Sequence, residues 1–417
     1  MLVSFIRKIS LFFIVLSATA QTQVEVIPPY NIKTASFIQN GQNVIPILKL
    51  GDNFQFQFDD LFGNEANYYY EITHCDFNWI PSNIPKNEYL QGFDNQRIQD
   101  YNNSFNALQL YSHYTLSIPN QFSRLLISGN YMLKILDENK EVVLSRKFIL
   151  YEDLASVPLA IKRARTVNNI EFKHNLDFSI KSNSINFQNP LKNIKVVLFQ
   201  NGLFSTAITN IPPQYTIGND LIYKYDTQTQ FWAGNEFLYF DNANIRGAGN
   251  NVARVDSNNA LYNSRLYTNI ARENFPYNLK EDVNGNFVAR NLNSTKNEIE
   301  SDYTWVYFSL SAPAFRANKD IYVTGMFNNY SLTPEYKMDF NSEKGLYEKA
   351  ILIKQGFTNY QYLVADSKGN IDQENAIDGN FWQTENDYTI LVYYRENIGR
   401  YDRVIGKGNA NSLIITN

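Results

Sequence analysis

The chain has 417 residues, 44% of them hydrophobic and 15% aromatic, with 29 Tyr, 29 Phe, one Cys and three His. A formal net charge of −4 leaves no basic footprint for nucleic acid, and a single cysteine cannot form an internal disulfide. At about 150 residues per domain this length predicts two or three units, held together by burial rather than by covalent staples.

The opening "MLVSFIRKISLFFIVLSATAQTQ" places Arg7 and Lys8 before an apolar run from Ile9 to Leu16. Small residues follow, from Ala18 to Ala20. That order predicts a signal peptide over residues 1–20, a mature chain from Gln21, and export. No Cys follows the expected cleavage point, which argues against a lipid anchor, and no later stretch has the apolar length of a spanning helix. The regularly repeated ten-residue segments of an outer-membrane barrel are missing too.

Strand patterns follow. "NFQFQFDDLF" alternates Phe54, Phe56 and Phe58 with polar residues, and "NYYYEITHCDFNW" continues the period of two. "YSHYTLSIPN" reads as a strand and "GNYMLKILDENKEVVLSRKFILYE" as a hairpin turning at "DENK". These elements predict a first β-sandwich over residues 21–152. The alternation breaks around "EDLASVPLAIKRARTV", a linker by composition, and resumes at "NIEFKHNLDFSIKSN". "LKNIKVVLFQNG" is a strand ending in an Asn-Gly turn, and "EDVNGNFVAR" predicts a hairpin with Asn284-Gly285 at its tip. The second sandwich is assigned to residues 153–295, and the polar stretch "NLNSTKNEIESD" around its end reads as a second linker. A third sandwich, over residues 296–417, runs from "DYTWVYFSLSAP" through "DYTILVYYRE". The expected fold is all-β: three consecutive β-sandwich domains of immunoglobulin or early-set type after a cleaved signal peptide.

Cys75 stands beside His74 in "HCDFNW". On a strand, adjacent side chains point to opposite faces, so Cys75 groups with Phe77 and Trp79 while His74 groups with Ile72, Asp76 and Asn78. A free Cys among aromatics packs as a small hydrophobe, so no nucleophilic site is expected there. His113 and His174 sit in strand patterns without zinc-ligand spacing. The chain has no G-x-S-x-G, phosphate-binding loop or dinucleotide fingerprint, and the carboxylates of "FDDLFGNE", "IESD" and "QENAIDGN" read as solvated loop residues. No catalytic, cofactor-binding or metal-binding residue is therefore expected. Tyr-rich segments such as "NYYY" and "YNSRLY" are compatible with a protein interface.

Two resemblances add to this reading. In the third unit, Gly325, Phe327, Asn328, Met338, Gly345, Tyr347, Tyr360 and Tyr362 fill a frame similar to the early-set sandwiches that include glycogen-binding modules. Tyr330 occupies the position of the usual sugar-stacking Trp. That likeness implies, as an alternative function, an exported glycan-binding protein with Tyr330, Asn328 and Trp382 as its platform. More of the chain resembles the type IX secretion system plug proteins of Bacteroidota. The blocks "YYYEITHCDFNWIPSNIPKNEYLQGF", "IQDYNNSFNALQLYSHYTLSIPN" and "ISGNYMLKIL" look like their first domain. "DVNGNFVARN", "ESDYTWVYFSL" and "DGNFWQTENDYTILVYYRENIGRYDRVIG" are similar to later parts. This resemblance implies a non-enzymatic periplasmic protein that closes the periplasmic mouth of the giant outer-membrane β-barrel translocon when no cargo is engaged. The barrel is then its partner, with no cofactor and no direct membrane span.

Overall fold

The computed structural model describes residues 21–257, 260–312 and 319–415; the expected signal peptide lies outside them. The regular structure of the described chain is almost entirely strand, with a few single-turn helices, and forms several two-sheet β units.

In the first unit one sheet runs in the order Gln42–Val44, Ile32–Gln39, Phe54–Asp60, Ser112–Ile118, Asp100–Asn103. The facing sheet runs Ile47–Lys49, Val142–Tyr151, Gly129–Leu136, Tyr69–Cys75, Gln96–Arg97. Phe54, Phe56 and Phe58 all point inward, as their alternation predicts, and meet Tyr114, Tyr131 and Phe148 from neighbouring and facing strands. The Phe58 and Tyr114 rings stack 5.1 Å apart, and those of Tyr131 and Phe148 lie 5.2 Å apart. Each such ring, removed from water, contributes roughly 1.5–3 kcal/mol. The "DENK" turn closes the expected hairpin, with Asp137 Oδ1 accepting from the amides of Asn139 and Glu141 at 2.9 Å each.

The expected boundary at residues 295/296 does not separate two bodies. In the second unit one sheet is built from Leu159–Arg163, Lys173–Ile180, Asp220–Tyr223 and Tyr215–Ile217, with Gln230–Trp232 also paired to Lys173–Ile180. Its facing sheet joins Ile208–Thr209 and Ile194–Gln200 to the last two strands of the chain, Asp387–Tyr394 and Arg403–Asn411. Val196 pairs with Val392, and Tyr388, Ile390, Val392 and Ile405 complete the core against Leu176, Phe178 and Leu198. Conversely, Leu238–Asp241 and Phe287–Ala289, expected in the second sandwich, pair with Gly356–Asp366 in the third. The third unit therefore lies within residues 237–382, and the C-terminal hairpin returns to the second.

The expected linker around Leu154 is packed structure. Leu154 and Ala155 donate to Ile405 O at 2.8 Å, and a Cβ on Gly406 would stand 2.6 Å from Ala155 O, so only glycine permits that approach. The "EDVNGNFVAR" segment also differs from expectation. Its Asn-Gly turn forms, but only Phe287–Ala289 follows as a strand, and it pairs with Gly356–Asp366 instead of with its own preceding residues. Gly285, at φ +84°, faces the Tyr330 hydroxyl and the Phe237 ring, leaving no room for a side chain.

Candidate functional site

The "HCDFNW" stretch lies at the junction of the first and second units. Its strand ends at Cys75, so Phe77 and Trp79 belong to the following turn and not to the strand face expected for them. His74 points inward beside Tyr131, where its Nε2 donates to Ser128 O (3.3 Å) and its Nδ1 accepts from Ser82 Oγ (2.7 Å). Burial lowers its pKa to about 4. Cys75 is fully buried on the other side of the strand, and burial, reinforced by Asp76, pushes its thiol up to about 12. A neutral buried imidazole and a protonated buried thiol on opposite faces do not make a nucleophile–base pair. The surrounding residues instead clasp the C-terminal hairpin. Tyr393 Oη donates to Asn130 Oδ1 at 2.7 Å, Phe77 N donates to Asp402 Oδ2 at 2.9 Å, and Arg403 pairs with Glu152 at 2.9 Å. Phe77, Ile47 and Ile149 pack there against Val197, Phe199, Leu391 and Tyr393.

The junction of the first and third units is polar and buried. Asp59, at the end of the Phe54–Asp60 strand, accepts from Lys354 Nζ and Tyr303 Oη at 2.6 Å each, and its other oxygen lies 2.6 Å from His113 Nδ1. Lys354 also donates to Glu298 O at 2.6 Å and sits 4.4 Å above the Tyr111 ring. Burial alone would raise the Asp59 pKa; Lys354 and His113 outweigh it and hold the carboxyl below its ordinary value. Nearby, Asp302 accepts from the amides of Leu108 (2.7 Å) and Gln109 (3.0 Å). Asp59 and Asp302, expected as solvated loop acids, are thus buried anchors between units.

Where the second and third units meet, carboxylate oxygens of Glu236, Asp282 and Glu385 lie within 4.8 Å of one another. Their charge is satisfied by protein donors: Tyr277 Oη and the amide of Glu385 (3.0 Å) on Glu236, the amides of Phe237 (2.5 Å) and Asn284 (2.7 Å) on Asp282, and Asn284 Nδ2 (3.2 Å) and Asn411 on Glu385. Burial raises Glu236 to about 7 and Asp282 to about 6. These three are the residues that could offer oxygen ligands to a hard cation, and three carboxylates scattered over 150 residues give no spacing signal in sequence.

The residues expected for a glycan platform occupy structural positions. Asn328 closes the single turn Met326–Asn328: its Oδ1 accepts from Gly325 N at 3.0 Å and its Nδ2 donates to Val323 O at 3.1 Å. Tyr330, at φ +53°, has its hydroxyl buried behind Gly285, and burial followed by Asp282 raises its pKa. Trp382 lies under the Arg163 guanidinium, 4.1 Å from its ring centre, while its carbonyl bonds His174 Nε2 at 2.6 Å. Trp382 is thereby bound to the second unit, and Asn328 has both amide atoms engaged.

One surface feature escaped the sequence reading. Phe62, Phe105, Leu108 and Leu110 are 55–68% exposed. Two loops bring them together: Gln109 Nε2 donates to Leu61 O at 3.0 Å, Ser104 N donates to Tyr111 O at 2.8 Å, and Gly63 faces Leu110. The patch borders the Asp302 anchor, where Phe105 N donates to Ile299 O at 2.9 Å. Grouped exposed apolar side chains of this kind mark interaction surfaces. Among the described residues no helix is long and apolar enough to cross a membrane.

Fold and junctions define an all-β protein of several interlocked sandwich units. Residues 32–152, nearly the whole first unit, match the family model of the type 9 secretion system plug protein 1st domain, so this part of the chain is a domain of that family. The crystal structure of a hypothetical protein from Parabacteroides merdae superposes with a TM-score of 0.89 at 28% identity, covering 94% of this chain and all of that one. The interlocked arrangement therefore extends to that relative as a whole. A biofilm-associated protein BSP domain aligns over 94% of this chain and 61% of its own at 9% identity, with a TM-score of 0.16 that carries no argument. No curated protein matches.

Proposed function

We propose that this protein works in the periplasm as the plug of the type IX secretion system, closing the periplasmic opening of the outer-membrane β-barrel when no cargo occupies it. The observation that carries this reading is the plug-protein first domain at residues 32–152. A pore wide enough to pass folded cargo leaks unless it is blocked, and a blocker must not deform under load. Units joined by apolar contacts, such as Phe77 and Ile149 with Leu391, and Leu61 and Tyr111 with Leu352, fit that demand, because parting either junction returns buried apolar surface to water. The docking face we assign to the barrel is the apolar patch of Phe62, Phe105, Leu108 and Leu110. The role is mechanical and calls for no chemistry at any side chain. Glycan binding draws no support from the buried Tyr330 hydroxyl or the engaged Asn328 amide.

Conductance tests it. Purified translocon barrel in a planar bilayer passes large currents. Adding this protein on the periplasmic side is expected to reduce them in a saturable way, and an unchanged conductance at saturating protein would count against the plug role.

A further inference from the structure

A cavity of about 300 Å³ opens where all three units converge, a size within the lower range of small-molecule pockets. Its wall is mostly apolar, with Phe37 and Ile45 from the first unit, Leu203 and Phe204 from the second, and Met326 from the third. Arg146 also lines it and is 8% exposed. Among the described residues its one hydrogen bond runs from a terminal nitrogen to Ser145 O at 2.9 Å, and Nε has no partner. Among the described residues no carboxylate comes within ion-pairing distance of this guanidinium, although Arg stays protonated in proteins. Glu25 on the same wall acts on it only from beyond that distance, which leaves the guanidinium room for a closer anion.

Tyr330 also lines the wall, but its hydroxyl lies against Gly285 and Phe237, neither of which borders the cavity. Three other polar side chains there are already engaged: Asn201 bonds Asn386 and the Asp387 amide, Ser36 bonds Asn43, and Asn329 bonds Glu25. The charged residues lining the cavity are Glu25, Arg146 and Lys147, which sum to a single positive charge. One guanidinium with an unspent donor, in a mostly apolar chamber of net charge +1, suits one anionic head on a greasy body. It does not suit a phosphate dianion or an extended peptide backbone.

We propose that this cavity binds the monoanion of an apolar carboxylic acid, with Arg146 as its head-group partner and the Phe37–Phe204 wall around the body. The proposal is independent of the plug reading.

Trp79 supplies a reporter, since its ring lies 5.8 Å from that of Phe204 and 4.5 Å below Lys147 Nζ, two residues of the cavity wall. The mature chain (residues 21–417) would be titrated with sodium octanoate and with N-acetyl-Leu-Phe bearing a free carboxylate, following tryptophan emission and binding heat. Octanol and the peptide amide are the neutral controls. The expected result is saturable 1:1 binding of at least one acid, with the controls at least tenfold weaker. The tighter acid identifies the source as a free fatty acid or a chain end. Arg146→Met should weaken binding tenfold or more. Leu203→Trp, which fills the chamber without touching its charge, should abolish binding even if Arg146→Met fails to fold. No saturation by either acid, equal binding of acid and neutral control, or unchanged affinity in Leu203→Trp would overturn the proposal.

Discussion

Lys354 Nζ lies 2.6 Å from Asp59 Oδ2 with both side chains out of solvent, so a cation from the third unit neutralises a carboxylate from the first. Pairs of this kind add little over an apolar replacement, but removing one member strands the other. Lys354→Met should therefore destabilise the protein by about 3–5 kcal/mol in denaturant unfolding. The pH dependence has a defined sign. The Asp59 pKa is depressed in the folded protein, so its contribution is present above the unfolded carboxyl value near ~4 and is lost as pH falls through the lower folded value. An unaltered unfolding midpoint in Lys354→Met would refute the anchoring role.

Glu236 behaves in the opposite sense. Its pKa is raised to about 7 by burial, so the folded state favours the protonated form. The associated stability is full below the unfolded value of about 4.3 and disappears as pH rises through 7. Tyr277, Asp282, Glu385 and Arg272 face it, the last through a 2.8 Å bond to its backbone carbonyl. Glu236→Gln keeps an acceptor for Tyr277 and removes the titration. The variant should gain melting temperature relative to the parent at pH 8 but not at pH 5, and an equal difference at both would dismiss the carboxyl cluster as a pH-sensitive junction.

Cys75 is buried at 0% exposure with a raised thiol pKa, so a thiol reagent should leave the native protein unmodified at neutral pH and react once denaturant is added. Rapid native labelling would mean that the junction between the first two units opens freely.

Stopping the chain after Thr384 removes Tyr388, Ile390 and Val392 from the second core, each fully buried and contributing about 1.5–3 kcal/mol. That loss rivals the whole stability of an ordinary domain. Limited proteolysis should then cut between residues 160 and 232 in the truncated chain and spare the full-length one. Equal resistance would mean that the second unit stands without its returning hairpin.

The period-two pattern made the first unit legible, because Phe54, Phe56 and Phe58 sit on one face of a single strand and that face is the core. The same pattern is silent about which strands meet. Val196 and Val392 pair across almost 200 residues, and nothing local at either position names the other, so a boundary at 295/296 cuts across paired strands. Acidic residues misled for a related reason. "FDD" looks like the start of a loop until Lys354, Tyr303 and His113 arrive from elsewhere to satisfy Asp59. At "HCDFNW" the alternation did put His74 and Cys75 on opposite faces, but it could not show that both faces are buried, one by the first core and the other by the second unit. The apolar patch stayed hidden because Phe62 and Leu110 are far apart in sequence and share no periodic pattern.

The most direct test of the plug account is recovery of the mature, C-terminally tagged protein from detergent-solubilised outer membranes of its source, alongside a Phe62→Asp/Leu110→Asp variant. Central aromatic and aliphatic anchors dominate interface energies, so the parent should bring down a very large β-barrel and the folded variant should recover at least tenfold less. If the barrel is present in the solubilised material and the tag is accessible, yet the parent captures none of it, the plug account is wrong.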